Sequence, residues 1–267
     1  MTLKEFADYH CPALEQDEAR HNLMVATLGR AANEPESKLR VWSLGAPGAC
    51  AIQSPGWPII LGAVDREQCH RLADTVRGDD FPAVVGAGDA PGWFVSHARE
   101  LGIEFSGHVP QRIMKIEAPP RSPPVAGHAR AVTSDDAPLY ADWRMAFAAE
   151  ATPHDPPPKR EAIEQAAARG ENFLWVVDGE PVSTAAIVRR TRRGGAINGV
   201  YTPPALRNRG YAGAVTAALV ERIRAGGKSF ACLYVDQRNP ASNRCYEKIG
   251  FKPVCDAWHY LRAQPAP

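Results

Sequence analysis

Apolar residues recur along this chain with two different periods, and the switches between them outline its elements. In the second half, "TSDDAPLYADWRMAFAAEA" (133–151) spaces Leu139, Trp143, Ala146 and Phe147 as one helical stripe. Thr133 or Ser134 can cap that helix, and Asp135 and Asp136 favour its positive end. After the proline-rich "TPHDPPP" a second helix is expected over Lys159 to Arg169. "NFLWVVDGEPVSTAAIVRR" (172–190) reads as two strands folded back at Asp178-Gly179, a pair that accepts the positive φ of a tight hairpin. "GAINGVYTPP" (195–204) is a third strand, stopped by Pro203 and Pro204. A helix over Gly210 to Ala225 presents Ala212, Val215, Leu219 and Ile223 on one face and stops at Gly226-Gly227. "SFACLYV", "PASNRCYEKIG" and "FKPVCDAWHYL" follow as strand, short helix and strand, giving the order ααβββαβαβ.

The first half has a similar rhythm. Helical runs near Leu3 to His10 and Glu15 to Ala31 precede the β-rich "LRVWSLG", "ACAIQ" and "WPIILGAV". A helix from Asp65 to Arg77, the strand "PAVVGA", a helix near Trp93 to Leu101 and the strand "QRIMKIEA" complete it. The halves share this order without evident identity. Between them, "EAPPRSPPVAGHAR" (117–130) holds four prolines and no apolar period, which suits an extended connector better than a helix or sheet strand. The expected organisation is therefore a domain over 1–118, a linker over 119–127 and a second domain over 128–267.

Composition narrows the picture. Hydrophobic residues form 45% and charged residues 23% of the 267, the balance of an ordinary folded protein. A net charge of +1 gives no general attraction to nucleic acid or to an anionic membrane, so neither is expected as a partner, and any anion site is local. The six cysteines form no CxxC and no metal-ligand spacing, and "MTLKEFADYHC" is no signal peptide, so reduced thiols, a cytoplasmic location and no metal are expected.

One local anion site stands out. "YTPPALRNRGYAGAV" places Arg207, Asn208, Arg209 and Gly210 directly before a helix, whose first N–H groups and partial positive charge bind phosphate. The nucleotide signatures GxxxxGK[ST] and GxGxxG are absent. "RNRGYA" (207–212) instead matches the R/Q-x-x-G-x-G/A pyrophosphate motif of the GNAT superfamily of N-acetyltransferases. "YVDQRNPASNRCYEKIGFKPV" (234–254) resembles that family's second cofactor segment, with N-x-x-S-N-x-x-Y-x-x-x-G-F intact. The resemblance covers residues 128 to 262.

It implies an α/β (α+β) fold of two tandem GNAT-like domains. Each would be a mixed, mostly antiparallel twisted sheet flanked by helices, and the C-terminal one would have a splayed central parallel strand pair. It implies acetyl-CoA as cosubstrate, without a metal, with the pantetheine arm along Val200, Tyr201 and Thr202 and the pyrophosphate on Arg207, Asn208, Arg209, Gly210, Tyr211 and Ala212. Asn239 and Asn243 would contact the arm, and Tyr246 would lie near its sulfur. The first half departs from the pattern. Its corresponding junction, "ILGAVDREQCHRLAD", offers Asp65 and Glu67 where phosphate needs donors, so it resembles a degenerate GNAT-like domain.

Acyl transfer to an amine needs a base, a polarised carbonyl and an acid for the thiolate. Tyr246 is the candidate acid, and an N–H near Tyr201 the candidate polarising group. Where many relatives carry a glutamate on the strand before the loop this sequence has Asn198, which orients water but accepts no proton. The candidate bases and acceptor contacts are Glu150, His154 and Asp155, where this fold usually builds its acceptor wall; Glu150 sits nearest the apolar face. Trp143 and Trp175 read as core or as pocket lining, and the four arginines of "RRTRRGG" (189–195) as a solvated turn or as an attractor of acidic ligands. The expected function is acetyl transfer to a primary amine of a small molecule in a ternary complex. The alternatives are an amino-acid N-acyltransferase of the glycine N-acyltransferase type and a non-catalytic acyl-CoA-binding regulatory protein.

Overall fold

The computed structural model describes residues 1–168 and 170–263. The elements run α1 (Leu3–Leu14), α2 (Asn22–Ala31), β1 (Arg40–Ser43), β2 (Cys50–Gln53), β3 (Ile59–Leu61), α3 (Arg66–Thr75), β4 (Ala83–Ala87), α4 (Ala90–Glu100) and β5 (Phe105–Ile116). They continue with β6 (His128–Ala131), α5 (Ala137–Ala151), α6 (Arg160–Ala167), β7 (Glu171–Val177), β8 (Glu180–Arg190), β9 (Gly194–Tyr201), α7 (Tyr211–Ala225), β10 (Phe230–Asp236), α8 (Pro240–Ile249) and β11 (Lys252–Arg262).

By its contacts the chain divides into two compact units. One holds Met1–Ile113, Val235–Arg238 and Pro253–Pro267, and the other Met114–Tyr234 and Asn239–Lys252. These differ from the contiguous blocks expected, 1–118 and 128–267. The cause is β11, which pairs antiparallel with β4 from Ala257↔Ala87 to Leu261↔Ala83. Residues 264–267 of the expected second domain, and Arg169 at the end of the expected second helix, lie outside the described residues.

In the first unit β1, β2 and β3 are antiparallel neighbours, β3 and β4 are parallel, and β11 follows β4. Asp65, expected as an anion-repelling residue, caps α3 by accepting from the Gln68 N–H at 2.8 Å. Phe81, Phe94, Ile59, Leu72 and Val84 form its core beneath α3 and α4. The second unit repeats the theme. β6 to β9 form an antiparallel meander, and α7 carries the chain from β9 to a parallel β10. The units thus share a strand-strand-helix-parallel-strand-helix order, and the mixed, mostly antiparallel α/β fold expected from the sequence is the one observed.

Two local differences have physical causes. β6 lies partly in the stretch read as a pure connector; along "HARA" the two end residues are exposed and the two middle ones half-buried, so no period of two announces it, and pairing with β7 holds the strand. The cap of α5 is also inverted. Asp136, not Thr133 or Ser134, is the residue at the helix start, and its carboxylate accepts from the Thr133 N–H at 2.8 Å and hydroxyl at 2.7 Å. It also receives Arg130 in a fork, Nη1 at 2.5 Å and Nη2 at 2.8 Å.

The Arg130 bonds, reinforced by those from Thr133, hold the Asp136 carboxyl well below the usual carboxylate range. A depressed folded-state value stabilises the fold above the unfolded value near pH 4, and that stability is lost as pH falls below it. Asp136→Asn is therefore expected to cost about 2 kcal/mol in urea unfolding at pH 7, with the gap to wild type shrinking towards pH 3.

All six cysteines are free thiols, and burial pushes Cys50 and Cys69 up to about 12, out of reach of redox chemistry at neutral pH. No helix among the described residues is long and apolar enough to cross a membrane.

Candidate functional site

The second unit's central strands part where the sequence motif begins. β9 and β10 share only the pairs Phe230↔Gly194, Ala231↔Gly195 and Cys232↔Ala196, so residues 197–201 of β9 run on without a partner on β10. On its other edge β9 carries one residue more than β8 between the pairs Thr184↔Tyr201 and Ala186↔Asn198. That bulge holds Gly199 at φ +62° and turns the end of the strand away from the regular ladder. The result, among the described residues, is a strand end held by β8 on one edge and not paired with β10 on the other beyond Ala196.

β9 delivers the chain to the arginine loop. Asn208 takes φ +63° and Gly210 φ +85°, the left-handed region that suits glycine. No side chain caps α7, so its first-turn N–H groups are left for a ligand. A Cβ at position 210 would stand 2.9 Å from Val125 Cγ1, and one at 213 would stand 2.9 Å from Pro123 Cγ. The proline-rich linker therefore lies against the loop. It is tied there by the Arg121 N–H donating to Ile249 O at 2.8 Å and by Trp175 Nε1 donating to Ala126 O at 2.9 Å. Trp175, buried and so bonded, is a structural residue; Trp143 packs on the cluster of Val132, Tyr140 and Leu174.

Four of the expected residues, Arg207, Glu150, Tyr201 and Thr202, are joined by hydrogen bonds. Arg207 Nη2 donates to Glu150 Oε2 at 2.6 Å, the Tyr201 hydroxyl donates to Glu150 Oε1 at 3.3 Å, and Arg207 Nε donates to Thr202 O at 3.0 Å. The Arg207 guanidinium also lies 5.7 Å from the Tyr201 ring centre. Burial, with Glu150 adding to it, raises the Tyr201 phenol above its ordinary value. Arg207 is thus turned along β9 towards α5, while Arg209 reaches only Ala205 O, at 3.4 Å.

The second segment forms α8. Asn239 is its N-cap, accepting from the Ser242 N–H at 3.0 Å, and Asn243 Nδ2 donates to Asn239 O at 2.7 Å. Both asparagines therefore order the helix start. Tyr246 is buried, edge-on to Phe251 at 5.9 Å, and burial raises its phenol far above the ordinary tyrosine value. Asn198 is exposed, and its Oδ1 accepts from the Gly199 N–H at 2.6 Å. His154 lies 3.9 Å from Asp155, whose carboxyl is raised by burial. Of the turn arginines, Arg190 pairs with Glu171 and Arg189 lies 5.6 Å from the Tyr234 ring centre.

Sequence reasoning passed over two residues here, Arg144 on α5 and Gly199 in the bulge. Tyr140, Arg144, Phe147 and Glu150 fall on one helical stripe, and α5 packs on β9. The glycine inside "INGVY" was the available signal, because an isolated glycine in a strand marks a bulge or a close approach.

Residues 174–262 match the model of the family described as FR47-like protein. No curated protein matches the sequence significantly. Among solved structures the chain resembles a GCN5-related N-acetyltransferase from Kribbella flavida, with TM-score 0.62 and 19% identity over 92% of this chain and 96% of that one. It resembles a tandem GNAT protein from the clavulanic acid biosynthesis pathway, with TM-score 0.59 and 12% identity over 100% and 96% of the two chains. It also resembles a GCN5-related N-acetyltransferase from Sphaerobacter thermophilus, with TM-score 0.55 and 16% identity over 93% of each. At these identities the likeness is one of fold, and the fold is that of tandem GNAT proteins.

Proposed function

We propose that this chain, built on the tandem GNAT fold, is an acetyl-CoA-dependent N-acetyltransferase whose second unit transfers the acetyl group to a primary amine of a small molecule. The observation that carries the reading is the uncapped start of α7 behind left-handed Gly210, at the end of a strand that has parted from its parallel neighbour. A phosphate accepts from such N–H groups at once. The backbone of Val200, Tyr201 and Thr202 would hold the pantetheine arm, and Asn208, Arg209, Gly210, Tyr211 and Ala212 would hold the pyrophosphate. Asn239 and Asn243 would set the start of α8 against the arm.

In the reaction the neutral amine nitrogen attacks the thioester carbonyl carbon, its oxygen facing a backbone N–H near Tyr201. The C–N bond forms, the C–S bond breaks, the surplus amine proton goes to a base, and Tyr246 supplies a proton to the departing sulfur. Glu150 is the candidate base, a carboxylate that accepts from Tyr201 of β9 and from Arg207. Arg207 has a second anion to serve. Beyond the bonds it gives to Glu150 and to Thr202 O, its guanidinium has further N–H donors that a pyrophosphate would accept from.

Isothermal titration of the purified chain with acetyl-CoA tests the reading. One site per chain at micromolar affinity, followed by thiol release with an amine panel, is expected. Two sites would mean that the first unit also binds, and the absence of binding would end the proposal. Tight binding with no turnover on any amine would favour the regulatory alternative.

A further inference from the structure

Arg144 is the cation of α5, and among the described residues it makes no ion pair. The acids at the start, middle and end of the helix pair elsewhere: Asp136 with Arg130, Asp142 with Arg160 and Glu150 with Arg207. Arg144 lies on the stripe that faces β9, and its Nη1 is sealed from solvent without a hydrogen-bond partner. Its guanidinium lies 5.2 Å from the Phe147 ring centre. On the other side it presses on the bulge: a Cβ at position 199 would stand 1.8 Å from Nη1 and 2.9 Å from Cζ. A side chain at position 199 would have to displace the guanidinium from this place.

Such an arrangement is costly in an empty protein. A buried guanidinium N–H without an acceptor forfeits its hydration, and native structures rarely keep one without a use for it. A guanidinium offers its donors in a planar fork that matches a carboxylate, which makes the missing acceptor an anion of that shape. The stripe reads cation, aromatic, anion in the order Arg144, Phe147, Glu150, six residues or about 9 Å of helix from end to end. It runs beside Gly199 at one end and Tyr201 at the other, where β9 has no partner on β10. A zwitterion fits that polarity, with its acid at Arg144 and its amine towards Glu150.

We propose that Arg144 is the docking point for a carboxylate on the amine acceptor, so that the acceptor is an amino acid or another small amino-carboxylate. The inference rests on the N-acyltransferase reading for its meaning but not for its test. Phe147 flanks the guanidinium at 5.2 Å, and Gly199 leaves the room that Nη1 occupies, so the carboxylate would approach the fork from its remaining N–H groups.

Amino-carboxylates and their amides, such as glycine with glycinamide, β-alanine with β-alaninamide and phenylalanine with phenylalaninamide, form the test. Thiol release from acetyl-CoA is followed in the wild type, in Arg144→Met and in Arg144→Lys, and binding of the same compounds is followed by titration. The wild type should prefer carboxylates to amides by roughly tenfold or more, the scale of one charge-assisted fork. Arg144→Met should erase that preference while acetyl-CoA affinity stays within about twofold, and Arg144→Lys should keep part of it. Equal turnover of acid and amide in the wild type, which requires no variant to fold, overturns the proposal. So does a loss in Arg144→Met confined to acetyl-CoA binding, which would make Arg144 a cosubstrate phosphate contact. If no amine is acylated, the transferase reading fails, whereas saturable carboxylate binding lost in Arg144→Met keeps the site. Binding indifferent to Arg144 removes it.

Discussion

Gly210→Glu is expected to weaken acetyl-CoA binding by roughly tenfold or more in calorimetry, through three effects that act together. The residue sits at φ +85°, which L side chains adopt at a cost of about 1 kcal/mol. Its side chain would meet Val125 Cγ1, 2.9 Å from the position of the new Cβ, and so would push the linker off the loop. Its carboxylate would place negative charge at the uncapped start of α7, where the pyrophosphate needs to be. Gly210→Ala separates these effects, because it carries the strain and the contact without the charge. It should lower stability by about 1 kcal/mol and leave most of the affinity. An unchanged affinity in Gly210→Glu would remove the pyrophosphate from this loop.

Tyr246→Phe is expected to lower kcat by about a hundredfold while acetyl-CoA affinity stays within about twofold. The ring is buried against Phe251, and phenylalanine preserves that packing, so the deleted hydroxyl is the only change of substance. The raised phenol value also fixes a pH dependence. An acid works only while protonated, and burial moves the loss of this proton above the ordinary tyrosine range near 10. Wild-type turnover should therefore show no loss from Tyr246 as pH rises from 7 to about 9, once amine ionisation is allowed for. A Phe variant with full kcat would take Tyr246 out of the chemistry.

What could be read from the sequence was local in origin. Asp178 and Gly179 adopt φ +50° and +86° because a two-residue hairpin demands it, and Gly210 is left-handed because the arginine loop has to turn into a helix. Such needs leave a residue type at a fixed place. Non-local choices leave no comparable mark. "FKPVCDAWHYL" reads as a strand, but nothing in it says that it pairs with β4 rather than with a neighbour in sequence. Arg207 looks like a phosphate ligand in its motif, yet it reaches a glutamate 57 residues away, a partner that only the packing of α5 on β9 supplies. Arg144 reads as one more solvated arginine on a helix. Its isolation becomes visible only when the carboxylates around it are found committed elsewhere.

The pairing of β11 with β4 also bears on how the protein is made. During synthesis residues 1–118 emerge before β11, leaving the main-chain N–H and C=O groups of β4 on that side bare. The strand that covers them, β11, follows every element of the second unit along the chain. A fragment stopped at the proline-rich linker would therefore carry a permanent open sheet edge, and it should self-associate or require a chaperone where the full chain does not. The first unit, although it precedes the linker in most of its length, is completed only when the chain beyond the second unit has been made.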